Sequence, residues 1–261
     1  MSQIRLNKTQ WSKIQPHLSG RAATGRPPAD DKRTLEAILF VLTTGCRWRD
    51  LPSEYGSYVT AWRRHRRWTQ DGTFARIWHR FLSELEFKGK LDLKTCALDG
   101  SYVRAKRGAN ESAEPVEGST SKHHAVVDGN GLPLAVVLSD GRCHDVTRAI
   151  AAVESIQIGC LRRRPRGLAA DKGYDSREFR NYLSMRGIRH SIPERKKAKR
   201  RPGRPPAFHR DLSSNRWKVE RFFAWLDNFR RLATRFERLC MMHLGFILLA
   251  CVMILLRNVL K

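Results

Sequence analysis

Apolar residues recur every three or four positions between residues 6 and 88, which is typical of amphipathic helices. Four helices are predicted there, beginning at Thr9, at Asp30 or Asp31, at Ser57 and at Phe74. Residues 1–88 are therefore expected to form a small all-α domain.

The third predicted helix, which covers residues 58–68, concentrates positive charge. Its four arginines are Arg63, Arg64, Arg66 and Arg67. A short helix, a turn and an arginine-rich helix together predict a helix-turn-helix-like unit whose second helix reads a DNA groove. The alternative is a small helical bundle whose arginines only face solvent.

From about residue 91 the pattern changes to short apolar runs between turn residues, which is typical of β-strands. Strands are predicted at 94–99, 124–128, 134–138, 167–171 and 188–193, with a polar loop at 106–121. Helices are predicted from Asp145, over 176–186, over 211–231 and over 239–260. This order is that of a ribonuclease-H-like α/β core, a mixed sheet flanked by helices, and it assigns residues 89–261 to one domain.

Three acidic residues occupy informative places in this order. Asp99 closes the first predicted strand, Asp171 closes the fourth, and Glu220 lies in the predicted helix 211–231. The first and fourth strands of such a core lie side by side, so Asp99 and Asp171 are expected to be neighbours. Carboxylates are the ligands that hard cations prefer, and two such cations about 4 Å apart can promote phosphoryl transfer. Singly, each acid could be a solvent-facing or turn-forming residue; together they predict a catalytic site.

The net charge of +25 indicates a nucleic acid as the partner. The charge is uneven: +8 in residues 1–88, +2 in 89–176 and +15 in 177–261. Asp99 and Asp171 lie in the near-neutral middle, whereas the basic flanks are expected to grip DNA.

No feature of the sequence predicts export or membrane insertion. Six cysteines without C-x-x-C spacing fit reduced thiols, and the N-terminus lacks the apolar core of a signal peptide. The apolar run 244–256 is shorter than the roughly 18 residues that a spanning helix needs, so it predicts a buried core helix. A cytoplasmic, nucleoid-associated protein is expected.

The segment 195–206 is basic and punctuated by proline. Its extended Gly-Arg-Pro sequence would suit a narrow A·T-rich minor groove, although contact with the DNA backbone is the favoured hypothesis. The DNA contacts predicted here are Arg195, Lys196, Lys197 and Arg204.

Several other polar residues have simpler interpretations. Asp145 and Asp175 are interpreted as helix caps, with a place in the catalytic site as the alternative for Asp175. His144 is assigned a structural role, with DNA contact or proton transfer as the alternative. Lys122, His123 and His124 are interpreted as strand-edge residues, with phosphate contact as the alternative.

Three motifs resemble those of bacterial insertion-sequence transposases of the DDE type. They are Ala97-Leu-Asp99-Gly-Ser, Ala170-Asp171-Lys-Gly-Tyr-Asp175-Ser and Arg216-Trp-Lys-Val-Glu220-Arg-Phe-Phe. The region before Lys88 also resembles the amino-terminal domain of these enzymes. The resemblance implies that Asp99, Asp171 and Glu220 hold two Mg²⁺ ions, for which Mn²⁺ can substitute. Arg216 would share a helical face with Glu220 and hold the reacting phosphate.

The third motif departs from the broader family pattern at two positions. Ser213 stands where the pattern has a tyrosine, and Asp227 stands where it has a lysine, so Arg230 or Arg231 would supply that cation.

The resemblance implies double-stranded DNA as the partner, namely the terminal inverted repeats of the transposon and the target DNA. A homodimer or larger assembly is expected on DNA, because two ends join one target. Two alternatives stay open: a metal-dependent nuclease without strand transfer, and a catalytically silent, transposase-derived DNA-binding regulator.

Overall fold

A computed structural model of the chain describes residues 5–18, 29–106, 120–159, 163–195 and 209–261. Contacts between residues divide the chain into two compact units. The first comprises Met1–Phe81, Arg104–Ser119 and Leu226–Lys261, and the second comprises Leu82–Val103 and Thr120–Trp225. The predicted assignment of residues 1–88 to an independent domain stays a prediction.

The four helices predicted before residue 88 are confirmed. They are α1 (Lys8–Ile14), α2 (Asp31–Thr44), α3 (Tyr58–Gln70) and α4 (Thr73–Phe87). The cap predicted at Thr9 is wrong, because Asn7 caps α1 by accepting a hydrogen bond from the Gln10 amide. Asp30 caps α2 as predicted, through the Lys32 amide.

The last helix of the chain, α10 (Cys240–Val259), packs against α3 within the first unit. His65 Nε2 lies 3.0 Å from the Met242 carbonyl oxygen, and the His65 ring stacks on Phe246 at 4.2 Å between centroids. Gly245 allows this close approach, since a Cβ there would lie 2.1 Å from Thr69 Oγ1. Of the described helices, α10 is long and apolar enough to cross a membrane, yet 78% of its most apolar stretch is buried. The predicted buried core helix is confirmed.

A buried ion pair lies in the first unit between Arg231 and Glu237. Arg231 Nε donates to Glu237 Oε1 at 2.7 Å, and the two side chains are only 6% and 5% exposed. Arg231 also donates to the Cys46 carbonyl, and His243 Nδ1 lies 3.7 Å from the second Glu237 oxygen. The DNA contact predicted for Arg231 is therefore wrong for this structure, because its guanidinium is buried and paired with a carboxylate.

Replacing Glu237 by alanine is expected to lower the free energy of unfolding by about 3–5 kcal/mol, because the charge of Arg231 would stay buried without its partner. Urea unfolding of the full chain measures the change. Asp50→Ala is the control: it removes a pair with Arg47 whose side chains are 84% and 44% exposed and screened by water, so it should lower the free energy of unfolding far less than Glu237→Ala. Equal costs for the two variants would contradict a stabilising role for the buried pair.

The second unit is built on a five-stranded mixed sheet. Its strands are β1 (Cys96–Arg104), β2 (Thr120–Val127), β3 (Pro133–Asp140), β4 (Gly167–Ala170) and β5 (Arg189–Ser191), in the order β3-β2-β1-β4-β5. β2 and β3 are antiparallel, whereas β4 runs parallel to both β1 and β5. The predicted ribonuclease-H-like architecture is confirmed, including the pairing of the first and fourth strands.

The interior position of β2 changes the interpretation of its polar residues. Because β2 lies between β1 and β3, Lys122, His123 and His124 are not strand-edge residues, as predicted, and each is at most 2% exposed. The predicted loop 106–121 is correspondingly too long at its end, since β2 begins at Thr120.

The helices of the second half follow the prediction with one exception. α5 (Val146–Glu154) and α6 (Arg177–Met185) lie where they were predicted. The single predicted helix 211–231 is instead three: α7 (Arg210–Ser213), α8 (Trp217–Asp227) and α9 (Arg230–Ala233). The first break follows from local side-chain competition, because Ser214 and Asn215 both hydrogen-bond to the Asp211 carbonyl oxygen.

Candidate active site

The paired strands β1 and β4 bring two of the three predicted acids together. Leu98 is in register with Ala170, so the next residues, Asp99 and Asp171, lie side by side. Asp171 follows the end of β4 as predicted, whereas Asp99 lies within β1, which continues to Arg104. Each carboxylate accepts a hydrogen bond from the amide of the following residue, at 2.7 Å for Asp99 and 2.6 Å for Asp171.

Arg216 connects this pair to the third acid. It immediately precedes α8, and Glu220 lies in the first turn of that helix. Arg216 Nη1 lies 3.3 Å from Asp171 Oδ1, and Nη2 lies 3.6 Å from Glu220 Oε1. The arginine is 30% exposed, Asp171 40% and Glu220 62%, so all three groups can be reached from solvent.

Burial raises the pKa of the Asp99 carboxyl, and the negative charges of Asp171 and Asp145 raise it further. The hydrogen bond from the Gly100 amide and the positive charge of Arg216 act in the opposite direction, but they do not cancel the rise. Several carboxylates thus lie close enough to repel one another, and a cation would relieve that repulsion. Their oxygens are the donor set that suits Mg²⁺ or Mn²⁺. Within the described residues no three His, Cys, Asp or Glu side chains converge closely enough to hold a metal ion as they stand. Here Arg216 supplies the positive charge between Asp171 and Glu220.

Sequence reasoning did not place Asp145 close to Asp99, although its charge acts on that carboxyl. Asp145 stands just before α5, but its side chain makes no capping hydrogen bond, so that predicted role is wrong. Its carboxylate instead pairs with Lys122 and lies next to Gly100, the neighbour of Asp99. Locally, an aspartate before a helix looks like a cap, and only the tertiary fold shows where its side chain goes.

The structure corrects Asp175 and gives a position for His144. Ser176 caps α6 by accepting from the Phe179 amide, so Asp175 is not the predicted cap. Asp175 instead accepts from Arg180 Nε and from the Arg195 amide, both at 2.9 Å. His144 is exposed, and its side-chain role stays a prediction.

The arginines predicted to contact DNA from α3 fall into two classes. Arg63, Arg66 and Arg67 are exposed. Arg64 is 15% exposed, pairs with Asp31 and lies 5.3 Å from the centre of the Trp68 ring. Its pair with Asp31 gives Arg64 a structural role, and its predicted DNA contact stays a prediction.

The remaining DNA-binding candidates lie later in the chain. Arg195 is exposed, and its guanidinium donates to the carbonyl oxygens of Lys172 at 3.1 Å and Gly173 at 2.8 Å, in the turn that follows Asp171. Arg230 is exposed on α9. Lys196, Lys197 and Arg204 lie outside the described residues.

Two family models match this chain. Residues 91–255 match the family model described as the transposase DDE domain, and residues 6–78 match a model assigned to transposases of the IS4/5 family.

The proteins with similar sequences include two that are assigned as transposases of insertion sequences. One is assigned as the transposase for insertion sequence element IS402 of Burkholderia cepacia; it is 42% identical over 158 residues, which cover 59% of this chain and 70% of the relative. The other is assigned as the transposase for IS6501 of Brucella ovis; it is 31% identical over 141 residues, which cover 53% of this chain and 99% of the relative. The chain belongs to the IS4/5 family of DDE transposases.

Proposed function

We propose that this protein binds the terminal inverted repeats of its insertion sequence, cleaves DNA at those ends and joins them to target DNA. Its family makes it a DNA-binding and DNA-cleaving enzyme of a kind that generally depends on a divalent metal. The observation that carries the finer proposal is the placement of Asp99 beside Asp171, with Arg216 linking Asp171 to Glu220.

Asp99, Asp171 and Glu220 would hold two Mg²⁺ ions, which Mn²⁺ could replace. When bound, such ions stabilise the attacking and leaving oxygens of a phosphoryl displacement. The carboxylates orient the reacting groups, and Arg216 binds two non-bridging phosphate oxygens through its two Nη groups.

Each of the two reactions forms one P–O bond and breaks another. In cleavage, a water oxygen bonds to phosphorus and the 3′ oxygen leaves as a hydroxyl. In strand transfer, that 3′ hydroxyl attacks a target phosphodiester and displaces a second 3′ hydroxyl. Neither step needs a covalent protein–DNA intermediate, so no serine or tyrosine nucleophile is required.

DNA recognition is assigned to the exposed cations. Arg63, Arg66 and Arg67 of α3 would contact the transposon ends, while Arg195, Arg230 and the segment that contains Lys196, Lys197 and Arg204 would contact the backbone. A homodimer or larger complex on DNA, in the cytoplasm and at the nucleoid, completes the proposal.

Alanine substitutions along α3 should separate base contacts from phosphate contacts. A residue that contacts a base edge should lose about 1–3 kcal/mol of preference for end DNA over random DNA. Replacing a residue that contacts phosphate should weaken binding to end DNA and to random DNA equally. It should also reduce the slope of log affinity against log salt concentration by about 1. Gel-shift titrations of Arg63→Ala, Arg66→Ala and Arg67→Ala at several salt concentrations measure both quantities.

Arg64→Ala is the matched control on the same helix. Its pair with Asp31 predicts reduced stability rather than a direct loss of DNA contact. Unchanged end preference in all three exposed variants would contradict the assignment of α3 and place recognition elsewhere.

The test of the whole proposal uses a plasmid that carries the DNA flanking the gene. The protein is incubated with this plasmid, a target plasmid and Mg²⁺, and the products are sequenced. Ends joined to target support the proposal. Cut ends without joining would identify a nuclease, and binding without cutting would identify a regulator.

A further inference from the structure

Three polar groups converge on Gly100, the residue that follows Asp99. A Cβ atom at Gly100 would lie 2.8 Å from Asp145 Oδ1, 3.0 Å from Lys122 Cε and 3.3 Å from the Tyr174 hydroxyl oxygen. Glycine is therefore the residue that leaves room for these groups beside Asp99.

The second oxygen of Asp145 faces the loop after the other aspartate. A Cβ atom at Gly173, two residues beyond Asp171, would lie 3.3 Å from Asp145 Oδ2. One Asp145 oxygen thus lies near Gly100 in β1, next to Asp99, and the other lies near Gly173 in the turn that follows Asp171.

Buried cationic and polar groups fix Asp145 from within the sheet. Lys122 on β2 has a side chain that is 3% exposed; its Nζ pairs with Asp145 Oδ1 and donates to the Tyr102 hydroxyl at 3.0 Å. His124 Nδ1 lies 3.8 Å from the same carboxylate oxygen, and its Nε2 lies 2.8 Å from Ser139 Oγ. A buried lysine needs a counter-charge, and Asp145 provides it.

The Tyr174 hydroxyl is a second, independent sign of a binding site. Tyr174 is 1% exposed, and its hydroxyl has no hydrogen-bond partner among the described residues. Buried polar groups are nearly always hydrogen-bonded. This donor lies beside Gly100, where a hydrated ion between Asp99, Asp171 and Asp145 would give it a partner.

We propose that Asp145 supplies a fourth carboxylate to the divalent-cation site, and that Lys122 is its counter-ion while no cation is bound. Asp145 would take up the cation directly or through one of the waters that Mg²⁺ retains. This inference rests on the proposed function, because it adds a residue to the cation site that Asp99, Asp171 and Glu220 form there.

The test measures Mn²⁺ binding by the full chain without DNA, from the electron paramagnetic resonance signal of free Mn²⁺. Asp145→Asn should weaken binding on the order of 10–100-fold, as loss of a supporting ligand does. Lys122→Met should strengthen it, because the carboxylate loses its competing cation. Asp140→Asn is the matched control: this carboxylate pairs with Arg142 at 3.2 Å, and its loss should leave Mn²⁺ affinity unchanged.

If Asp145 is a ligand, Mn²⁺ binding weakens in Asp145→Asn and strengthens in Lys122→Met. If Asp145 has only a structural role, both variants bind Mn²⁺ more weakly and both have lower thermal stability. If Asp145→Asn binds Mn²⁺ as tightly as Asp140→Asn does, the proposal that Asp145 is a fourth carboxylate of the cation site is overturned. Should Asp145→Asn fail to fold, Lys122→Met decides, and unchanged or weaker binding overturns the inference. Asp99→Asn tests the underlying site separately: if it retains wild-type Mn²⁺ binding, the proposed cation site itself fails.

Discussion

Asp99→Asn, Asp171→Asn and Glu220→Gln should each abolish cleavage of transposon-end DNA while DNA affinity stays similar or rises. Each substitution removes a negative charge from the proposed cation site and leaves the exposed arginines unchanged. A loss of several kcal/mol of transition-state stabilisation corresponds to a rate decrease of roughly 10³-fold or more. Nicking of end-containing DNA in Mg²⁺, measured beside gel-shift affinity, gives the two quantities for each variant.

The control for this set is Asp227→Asn, which changes an exposed carboxylate at the other end of α8 from Glu220. It should cut at the normal rate. Full cleavage by any one of the three active-site variants would remove that residue from the site, and equal loss of cutting and binding would point to misfolding.

The placement of Asp99 beside Asp171 follows from information that the sequence contains. Short apolar runs define the strands, and the order of strands and helices defines a sheet in which β1 and β4 are parallel neighbours. Once the register pairs Leu98 with Ala170, the two acids must be adjacent. Local pattern and topology therefore predict the centre of the site.

Residues whose roles depend on distant partners could not be predicted in the same way. Arg230 and Arg231 are indistinguishable in sequence, yet one is exposed and the other is buried against Glu237. Adjacent residues of a helix face different directions, and no glycine or proline marks where α9 begins, so the local sequence does not show which arginine meets Glu237. Likewise, Asp145 has the sequence context of a helix cap, but buried Lys122 attracts its carboxylate instead.

The packing of helices in the core of the first unit also could not be predicted from local sequence. The apolar character of α10 predicts that it is buried, but the sequence does not say which helix covers it. The structure pairs α10 with α3, and His65 contacts Met242 across a separation of 177 residues. The face of α3 that holds His65 is thereby fixed inward, which leaves Arg63, Arg66 and Arg67 on the exposed side.

Arg216→Ala should lower the cleavage rate by about 10²–10³-fold, comparable with the loss of one positioned hydrogen-bond donor in other enzymes, and should weaken DNA binding far less. Arg216 spans Asp171 and Glu220, so it is placed to hold a single phosphate at the acids rather than to add general attraction. Single-turnover cleavage and gel-shift affinity on the same end-containing DNA measure the two effects. Arg216→Lys should recover only part of the rate, because an ammonium group cannot bind two oxygens in the fixed geometry of a guanidinium.

Arg210→Ala is the control for this last prediction, since it removes an exposed positive charge from the neighbouring helix α7. It should weaken binding slightly and leave the cleavage rate at saturating protein unchanged. Removing Arg216 also removes the cation that lies between Asp171 and Glu220, so the variant should bind Mn²⁺ more tightly even as it cuts more slowly. Tighter metal binding with slower cleavage would assign Arg216 to the phosphate, whereas an unchanged cleavage rate would show that its contacts with the two acids have no part in the reaction.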